Sequence, residues 1–483
     1  MTDHSPAVPP RDSGRPGRRY VIRGGTVMSM DPAVGDFESA DVLVEGSRIV
    51  AVAPTIDAPD ADVIDARGRV VMPGFVDTHH HLFETALRSY LPNGLLLNDG
   101  SGSPSADPSY MEHIIGRFAP AYRPEDVHIN MLYGRLSQLD AGVTTVLDTS
   151  QIHHTPEHSD AAVQALADAG ARSVVGYWAG DGRPESQFPQ DARRLKEQYF
   201  SSTDQLLTMA IGGEVAGGAD FGPVYAPVWT LARELDLQIA AHALGFLMDP
   251  ILQGIARGDN GIALGPDVLF IHMVHISDQV WTAARDAGVR VSLAVPIEMA
   301  MRHGTPPLLK MQELGMEPSL SSDVETTMTA DPFTLMRSTL TLQRMLVNAQ
   351  IFDQPRAPEN IWPTPAPGTP ELLLDRDVLR FATLNGARDL RLGGTTGSLT
   401  PGKQADIVLL DATALNVAPM NSAPGAVVTL MDRSNVDSVI VAGTVRKWRG
   451  TLLDADLPGL RATLEASRDH LFTAAGLKQH LFP

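Results

Sequence analysis

The chain has 483 residues, 43% of them hydrophobic and 20% charged, with a net charge of −19 and no cysteine. That composition belongs to a globular chain with a large core, and its acidity argues against nucleic-acid binding, which needs a basic face. The missing cysteines remove disulfides, thiolate zinc sites, iron–sulfur clusters and a cysteine nucleophile.

In chain order, residues 1–19 are rich in Pro, Gly, Ser and Arg and lack the apolar segment of a secretory signal, so they predict a disordered tail. Residues 20–72 read as short strands, "YVIRGGTVMSM", "ADVLVEGSRIVAVAP" and "ADVIDARGRVVMP", broken by Gly and Asp turns. From 73 to 392 the texture changes. Apolar runs such as "AGVTTVLDTS", "LQIAAHALG" and "DVLFIHMVHIS" alternate with helical stretches such as "DAAVQALADAG" and "DQVWTAARDAG". Repeated strand–helix units predict a parallel sheet, and this many predict a closed (β/α)8 TIM barrel. Residues 393–450 return to short strands and are expected to pair with residues 20–72 in one small composite β-sandwich. Residues 451–483 read as a helical tail. Residues 91–110 are irregular and follow the first barrel strand, where a long loop can lie over the barrel mouth. No run of eighteen apolar residues occurs, so no membrane span is expected.

The chemistry starts at "FVDTHHH". A strand alternates its faces with period two. His79 and His81 therefore point one way and His80 the other. At the C-terminal end of a first barrel strand, His79 and His81 face the mouth, where barrel catalysis sits. Two neutral imidazoles there can chelate one divalent metal. A catalytic metal needs about three protein ligands and an open position. Further candidates stand where later strands should end: His242, His272, His275 and Asp323. Any one alone is more often a satisfied core or surface group, but their recurrence at successive strand ends argues for one site.

These motifs resemble the amidohydrolase superfamily, in its cytosine-deaminase-like and triazine-hydrolase-like branch. "PGFVDTHHH" resembles the family's entry to the barrel, "AGVTTVLD" its second strand, and "GSLTPGKQADIVLLD" its return to the β-sandwich. The resemblance runs from about Tyr20 to Gly450. It implies that His79, His81, His242 and Asp323 are metal ligands, with Asp323 also taking the proton of the attacking water and His272 touching water or substrate. It implies zinc as the usual metal, with ferrous iron as an alternative. Strand four reads as "LLTMAIGGE", without the lysine of the family's binuclear design, so a single metal per chain is expected.

One departure stands out. The deaminases of this branch carry His-x-x-Glu after strand five, whereas this chain reads His242-Ala243-Leu244-Gly245. A replacement acid could be Glu214, Glu298 or Glu325. His153, His154, Trp178 and His303 are further pocket candidates, and His275 is expected to turn away. The resulting expectation is a metal-dependent hydrolase acting on a carbon–nitrogen or other carbon–heteroatom bond of a small nitrogen heterocycle or cyclic amide. It would be cytoplasmic and homo-oligomeric, dimer or tetramer, with no nucleic-acid or membrane partner. A non-hydrolytic decarboxylase or lyase is the alternative, and an inactive binding or structural homologue a third.

Overall fold

The computed structural model describes residues 8–180, 184–213, 221–354 and 362–482. Two sheets organise them. The smaller unit is built from both ends of the chain. Strands β1 (Arg19–Met28), β2 (Asp36–Glu45), β3 (Arg48–Ala53), β4 (Asp62–Asp65) and β5 (Arg69–Pro73) come first. Eight barrel strands follow: β6 (Phe75–His80), β7 (Val143–Ser150), β8 (Arg172–Tyr177), β9 (Leu207–Gly212), β10 (Gln238–Leu244), β11 (Val268–Val274), β12 (Arg290–Leu293) and β13 (Ser319–Leu320). The chain then returns to the first sheet as β14 (Ile407–Asp411), β15 (Val436–Val441), β16 (Thr444–Trp448) and β17 (Thr451–Leu452).

The first sheet runs β17-β16-β15-β14-β5-β1-β2-β3, with β4 beside β1. Antiparallel pairing of β14 with β5, in the register Leu409 to Val71, ties the two chain ends together. Both faces of this seam are buried. Val71, Ile407 and Leu409 point into the sheet's own core with Tyr20, Val42 and Ile440. Val70, Met72, Val408 and Leu410 point the other way, into a core shared with Phe75 and Phe333. The period-two alternation of apolar residues on two buried faces thus places the small unit against the barrel.

The barrel strands pair in parallel and in chain order from β6 to β13. Helices such as Pro124–Asp140, Pro156–Ala169 and Asp278–Ala287 cross back between them. The helix Pro156–Ala169 stops at Gly170, whose φ of 61° is the left-handed cap a glycine supplies without a Cβ penalty. The ring closes where the first strand meets the last. The Asp323 N–H donates to His79 O at 3.0 Å, and the His81 N–H donates to Asp323 O at 2.9 Å. Closure of the barrel and construction of the site are therefore one event.

The chain ends differ in detail from their sequence reading. Residues 11–18 form turns, and the Val445 N–H donates to Ser13 Oγ at 3.0 Å, so this part of the expected disordered tail lies on β16. Residues 1–7 fall outside the described residues. The C-terminal helix Leu457–Ala474 packs Phe472 against Phe118 and Tyr90, with ring centroids 5.0 and 5.6 Å apart. Residues 91–110 cross the barrel mouth. Leu91 N–H donates to Thr326 O at 2.9 Å, Leu96 N–H donates to Met301 O at 3.1 Å, and Arg302 pairs with Asp99.

Candidate metal centre

His79, His80 and His81 end β6 with alternating faces. His80 turns away from the mouth and meets Ser322 Oγ through Nδ1 at 2.9 Å. His79 and His81 turn inward onto one carboxylate. His79 Nε2 lies 3.1 Å and His81 Nε2 3.4 Å from Asp323 Oδ1. The other oxygen, Oδ2, lies 3.7 Å from His272 Nε2. The His242 ring completes the group, with its centroid 4.8 Å from that of His79 and 5.7 Å from that of His272. Two triads, His79/His81/Asp323 and His79/His242/His272, each bring one ligand atom per residue within 4.8 Å of the others.

The donor set fits a divalent cation. With metal–ligand bonds of about 2.0–2.1 Å, donors on a tetrahedral ion stand roughly 3.4 Å apart, close to the N···O separations here. The outer ring nitrogens are held. His79 Nδ1 lies 2.8 Å from Thr149 Oγ1, and His81 Nδ1 donates to Gln151 Oε1 at 3.0 Å. His272 Nδ1 donates to Glu298 Oε1 at 3.0 Å. That oxygen already accepts the Ala294 N–H at 2.9 Å, which fixes the proton on His272 Nδ1 and leaves Nε2 as a lone pair aimed at the site. Burial lowers the pKa of His79, and takes that of His272 down to about 4, which keeps the imidazoles neutral as ligation requires. Burial pushes the Asp323 carboxyl up, but the hydrogen bonds that His79 and His81 offer outweigh it and hold the group well below the usual range. Two of these residues sit in left-handed backbone, His272 at φ 75° and Asp323 at φ 61°. Such non-glycine positions cost about 1–3 kcal/mol each and cluster at functional sites.

Other sequence candidates divide. Glu298 is fully buried in the short helix Val295–Ala300, not facing solvent. It reaches the site through His272, and burial raises its pKa to about 8. His303 joins the cluster, its ring centroid 4.8 Å from that of His272. Glu325 is spent on Arg88, whose Nε donates to it at 2.9 Å. His153 uses both ring nitrogens on Ser159 Oγ and Gly176 O, and His154 donates Nε2–H to Ala119 O, so these two act as buried structural histidines. Trp178 fills the barrel interior with Val76, Leu147, Val174 and Ala240, and presents no ring face for stacking. Glu214 lies outside the described residues. His275 is exposed beside Phe246, as expected of a residue turned away.

Gly245 stands where the deaminases of the resembled branch carry glutamate. A Cβ there would stand 1.7 Å from His275 O and 2.3 Å from His275 C. The missing glutamate therefore does not open space for substrate. The backbone of the strand-six loop already occupies the position. Sequence reasoning also missed Glu84, fully buried in the 3-10 turn Leu82–Leu87 with Tyr110 Oη–H donating to Oε1 at 2.6 Å. Burial raises its pKa well above the usual range, and the negative charge of Asp323 adds to the effect. Its only sequence signal is a lone acid in an otherwise apolar turn three residues after His81.

A cavity of about 660 Å³ lies where residues 95–99 meet Gly245 and His275, lined also by Phe246, Met301 and Arg302 and by none of the clustered histidines. A larger one, about 840 Å³, lies around Glu317 and Arg380 by the start of β13 and is remote from the histidines.

Residues 70–446 match the amidohydrolase family model. The chain belongs to the amidohydrolase family. Its class, a hydrolase acting on carbon–nitrogen bonds, is the one expected from the sequence. Among curated relatives, a 5'-deoxyadenosine deaminase of Methanosarcina mazei is 26% identical over 90% of this chain and 94% of its own. A 5-methylthioadenosine/S-adenosylhomocysteine deaminase of Symbiobacterium thermophilum is 27% identical over 83% and 87%. Among solved structures, a zinc-bound adenosine deaminase of Xanthomonas campestris superposes with a TM-score of 0.76 at 22% identity, covering 95% of this chain and 99% of that one. A variant atrazine chlorohydrolase of Arthrobacter aurescens, complexed with zinc and atraton, gives 0.76 at 20% identity, with 93% and 100% covered. Those two likenesses bear on the fold.

Proposed function

We propose that this amidohydrolase is a zinc-dependent enzyme that hydrolyses an exocyclic carbon–nitrogen bond of a small nitrogen heterocycle, with aminopurine-type compounds as the first class to test. One observation carries the reading: His79 and His81 converge on the Asp323 carboxylate at the closing seam of the barrel, with the His242 ring packed edge-on against His79. The deaminases among its relatives supply the substrate class. Ferrous iron is the alternative metal.

A divalent cation bound there supplies Lewis-acid chemistry, lowering the pKa of a water and polarising the substrate carbon. His79, His81 and His242 hold it, and Thr149 and Gln151 hold the first two rings in orientation. Asp323 takes a proton from the attacking water and passes it to the leaving group. It stands ionised beside His79 and His81. His272, with Nε2 unprotonated and Nδ1 locked by Glu298, accepts a hydrogen bond from water or substrate at the same place. Leu95, Leu97 and Phe246 offer a planar ring apolar contact at the cavity beside Gly245.

With this reading go the expectations of a cytoplasmic, homo-oligomeric enzyme. No helix among the described residues is long and apolar enough to cross a membrane. Ammonia release from a panel of aminated purines, pyrimidines and triazines, with protein loaded with zinc and then chelated, tests the function. Chelator-sensitive release supports it. Metal-replete protein that releases no ammonia from the whole panel would turn the assignment toward a lyase or decarboxylase.

A further inference from the structure

We infer that the cavity between residues 95–99 and the segments that follow β10 and β11 is a substrate subsite of its own, built for an uncharged aryl or alkyl substituent on the heterocycle. The inference rests on the hydrolase reading of the neighbouring metal centre and names the other half of its substrate.

The walls of this cavity continue the strands that carry the metal centre. Gly245 follows His242 by three residues, His275 follows His272 by three, and Arg302 directly precedes His303. Three residues of chain span at most about 10 Å. The His303 ring lies against His272 in turn, with centroids 4.8 Å apart. A heterocycle whose reacting carbon stands at the metal centre therefore has the cavity within reach of a short substituent. The remaining wall is the segment that crosses the barrel mouth, held there by the Leu96 N–H on Met301 O at 3.1 Å. A volume of about 660 Å³ lies within the roughly 300–1,000 Å³ of small-molecule pockets.

The lining is apolar where it is free to bind. Leu95, Leu96 and Met301 are buried, whereas Leu97 is 41% and Phe246 46% exposed. Single exposed apolar residues are ordinary, but two on different walls of one cavity mark a place for a ligand. The Phe246 ring is set edge-on to His275, with centroids 5.9 Å apart, and adds aromatic surface.

The charged groups of the lining are already engaged. Arg302 pairs with Asp99. Asp249 accepts the Ser277 N–H at 2.9 Å and a Gln253 Nε2–H at 2.6 Å. A carboxylate or phosphate entering here meets one arginine that is taken and two acids that repel it. An ammonium meets acids whose oxygens are occupied. Burial of a charge without a partner is costly, so the subsite selects for uncharged groups.

The test reads affinity apart from turnover, using purines that carry no exocyclic amine to be released. Isothermal titration of zinc-loaded protein compares purine with its N9-, C2- and C8-benzyl derivatives, and each of these with its carboxybenzyl and aminomethylbenzyl counterparts. Burying a phenyl-sized group is worth about 10–150-fold in affinity. At least one benzyl isomer should bind wild type about tenfold or more tighter than purine, and its charged counterparts should gain little. That ratio should fall toward one in Phe246→Ala or Leu97→Ala. A general loss of structure would weaken purine and benzylpurine alike and leave the ratio where it was. Phe246→Arg should shift the preference toward the carboxybenzyl compound. No tenfold gain from any benzyl isomer, an equal gain from the charged counterparts, or an unchanged ratio in both alanine variants would overturn the subsite. Those results leave the hydrolase reading standing. Ammonia release from the aminated panel is measured in parallel, and its absence beside an intact benzyl preference would sink the hydrolase reading and leave the apolar subsite.

Discussion

His272 donates its Nδ1–H to Glu298 Oε1 at 3.0 Å, and the same oxygen takes the Ala294 N–H at 2.9 Å. One carboxylate oxygen thereby couples the end of β11 to the first turn of the helix after β12. If the hydrogen bond is what matters, Glu298→Gln should retain much more activity than Glu298→Ala, because an amide oxygen can still accept both. Partners that orient site histidines typically contribute about 10–100-fold, so the alanine variant should lose that much in kcat while KM moves little. Equal losses in both variants would mean that Glu298 acts through its charge or its proton, as the acid missing from position 245. Steady-state kinetics of the two variants at matched zinc content separates these outcomes.

Gly245 should tolerate no side chain. Its Cβ direction runs into the His275 carbonyl, so even Gly245→Ala must push the β11 loop away and His272 with it. Overpacking of this kind typically costs about 1–3 kcal/mol, occasionally more. The expected outcome is a Tm several degrees lower, with a kcat defect and not a pure rise in KM. Gly245→Glu should be worse on both counts and should not restore the deaminase pattern His-x-x-Glu. A stable, fully active Gly245→Glu would show that this loop relaxes freely.

Asp389 offers a pH signature away from the site. It is buried at the end of a short helix, with Oδ2 unpartnered, and burial raises its pKa to about 6 in spite of Arg388 at 3.2 Å. Because the folded state holds this proton more tightly than the unfolded chain, the stabilising effect is complete below about pH 4 and disappears as pH rises through 6. The span is worth at most about 3 kcal/mol. The stability of wild type minus that of Asp389→Asn should therefore fall between pH 4 and 6 and stay flat above. Denaturant melts at several pH values check it, and a difference that is constant with pH would contradict the raised pKa.

The parts of this site legible in the sequence are those fixed by local periodicity. His79 and His81 share a face because a strand alternates, and the strand-end histidines 242 and 272 follow apolar runs that could hardly be anything but barrel strands. Asp323 was legible only as an acid after a short run, with its role supplied by the family pattern, since β13 is two residues long and carries no periodicity of its own. His153 and His154 looked like His272 in sequence. A histidine that binds a backbone carbonyl and one that binds a metal both follow buried strands, and only the partner atom tells them apart. The settings of Glu84 and Gly245 were not legible, for a common reason. The fate of each depends on a residue far away in the chain or on another strand, Tyr110 for the first and His275 for the second.

Asp323 carries the strictest prediction. Its Oδ1 sits within 3.4 Å of Nε2 of both His79 and His81, and its backbone closes the barrel through His79 O and the His81 N–H. Asp323→Asn preserves shape and backbone, so the barrel should still close and Tm should stay within a few degrees of wild type. One amide oxygen can still ligate, so zinc should bind, though more weakly. What is lost is the ability to take a proton from water and deliver it to the leaving group. A positioned acid–base group is worth about 10²–10⁴-fold, so kcat should fall by at least about 10²-fold with zinc bound, and KM should change little, since the interaction belongs to the transition state. Elemental analysis beside the kinetics is essential, because zinc loss alone would also abolish turnover. Activity within a few-fold of wild type in a zinc-loaded Asp323→Asn protein would remove Asp323 from proton transfer and leave His272 as the remaining base at the mouth.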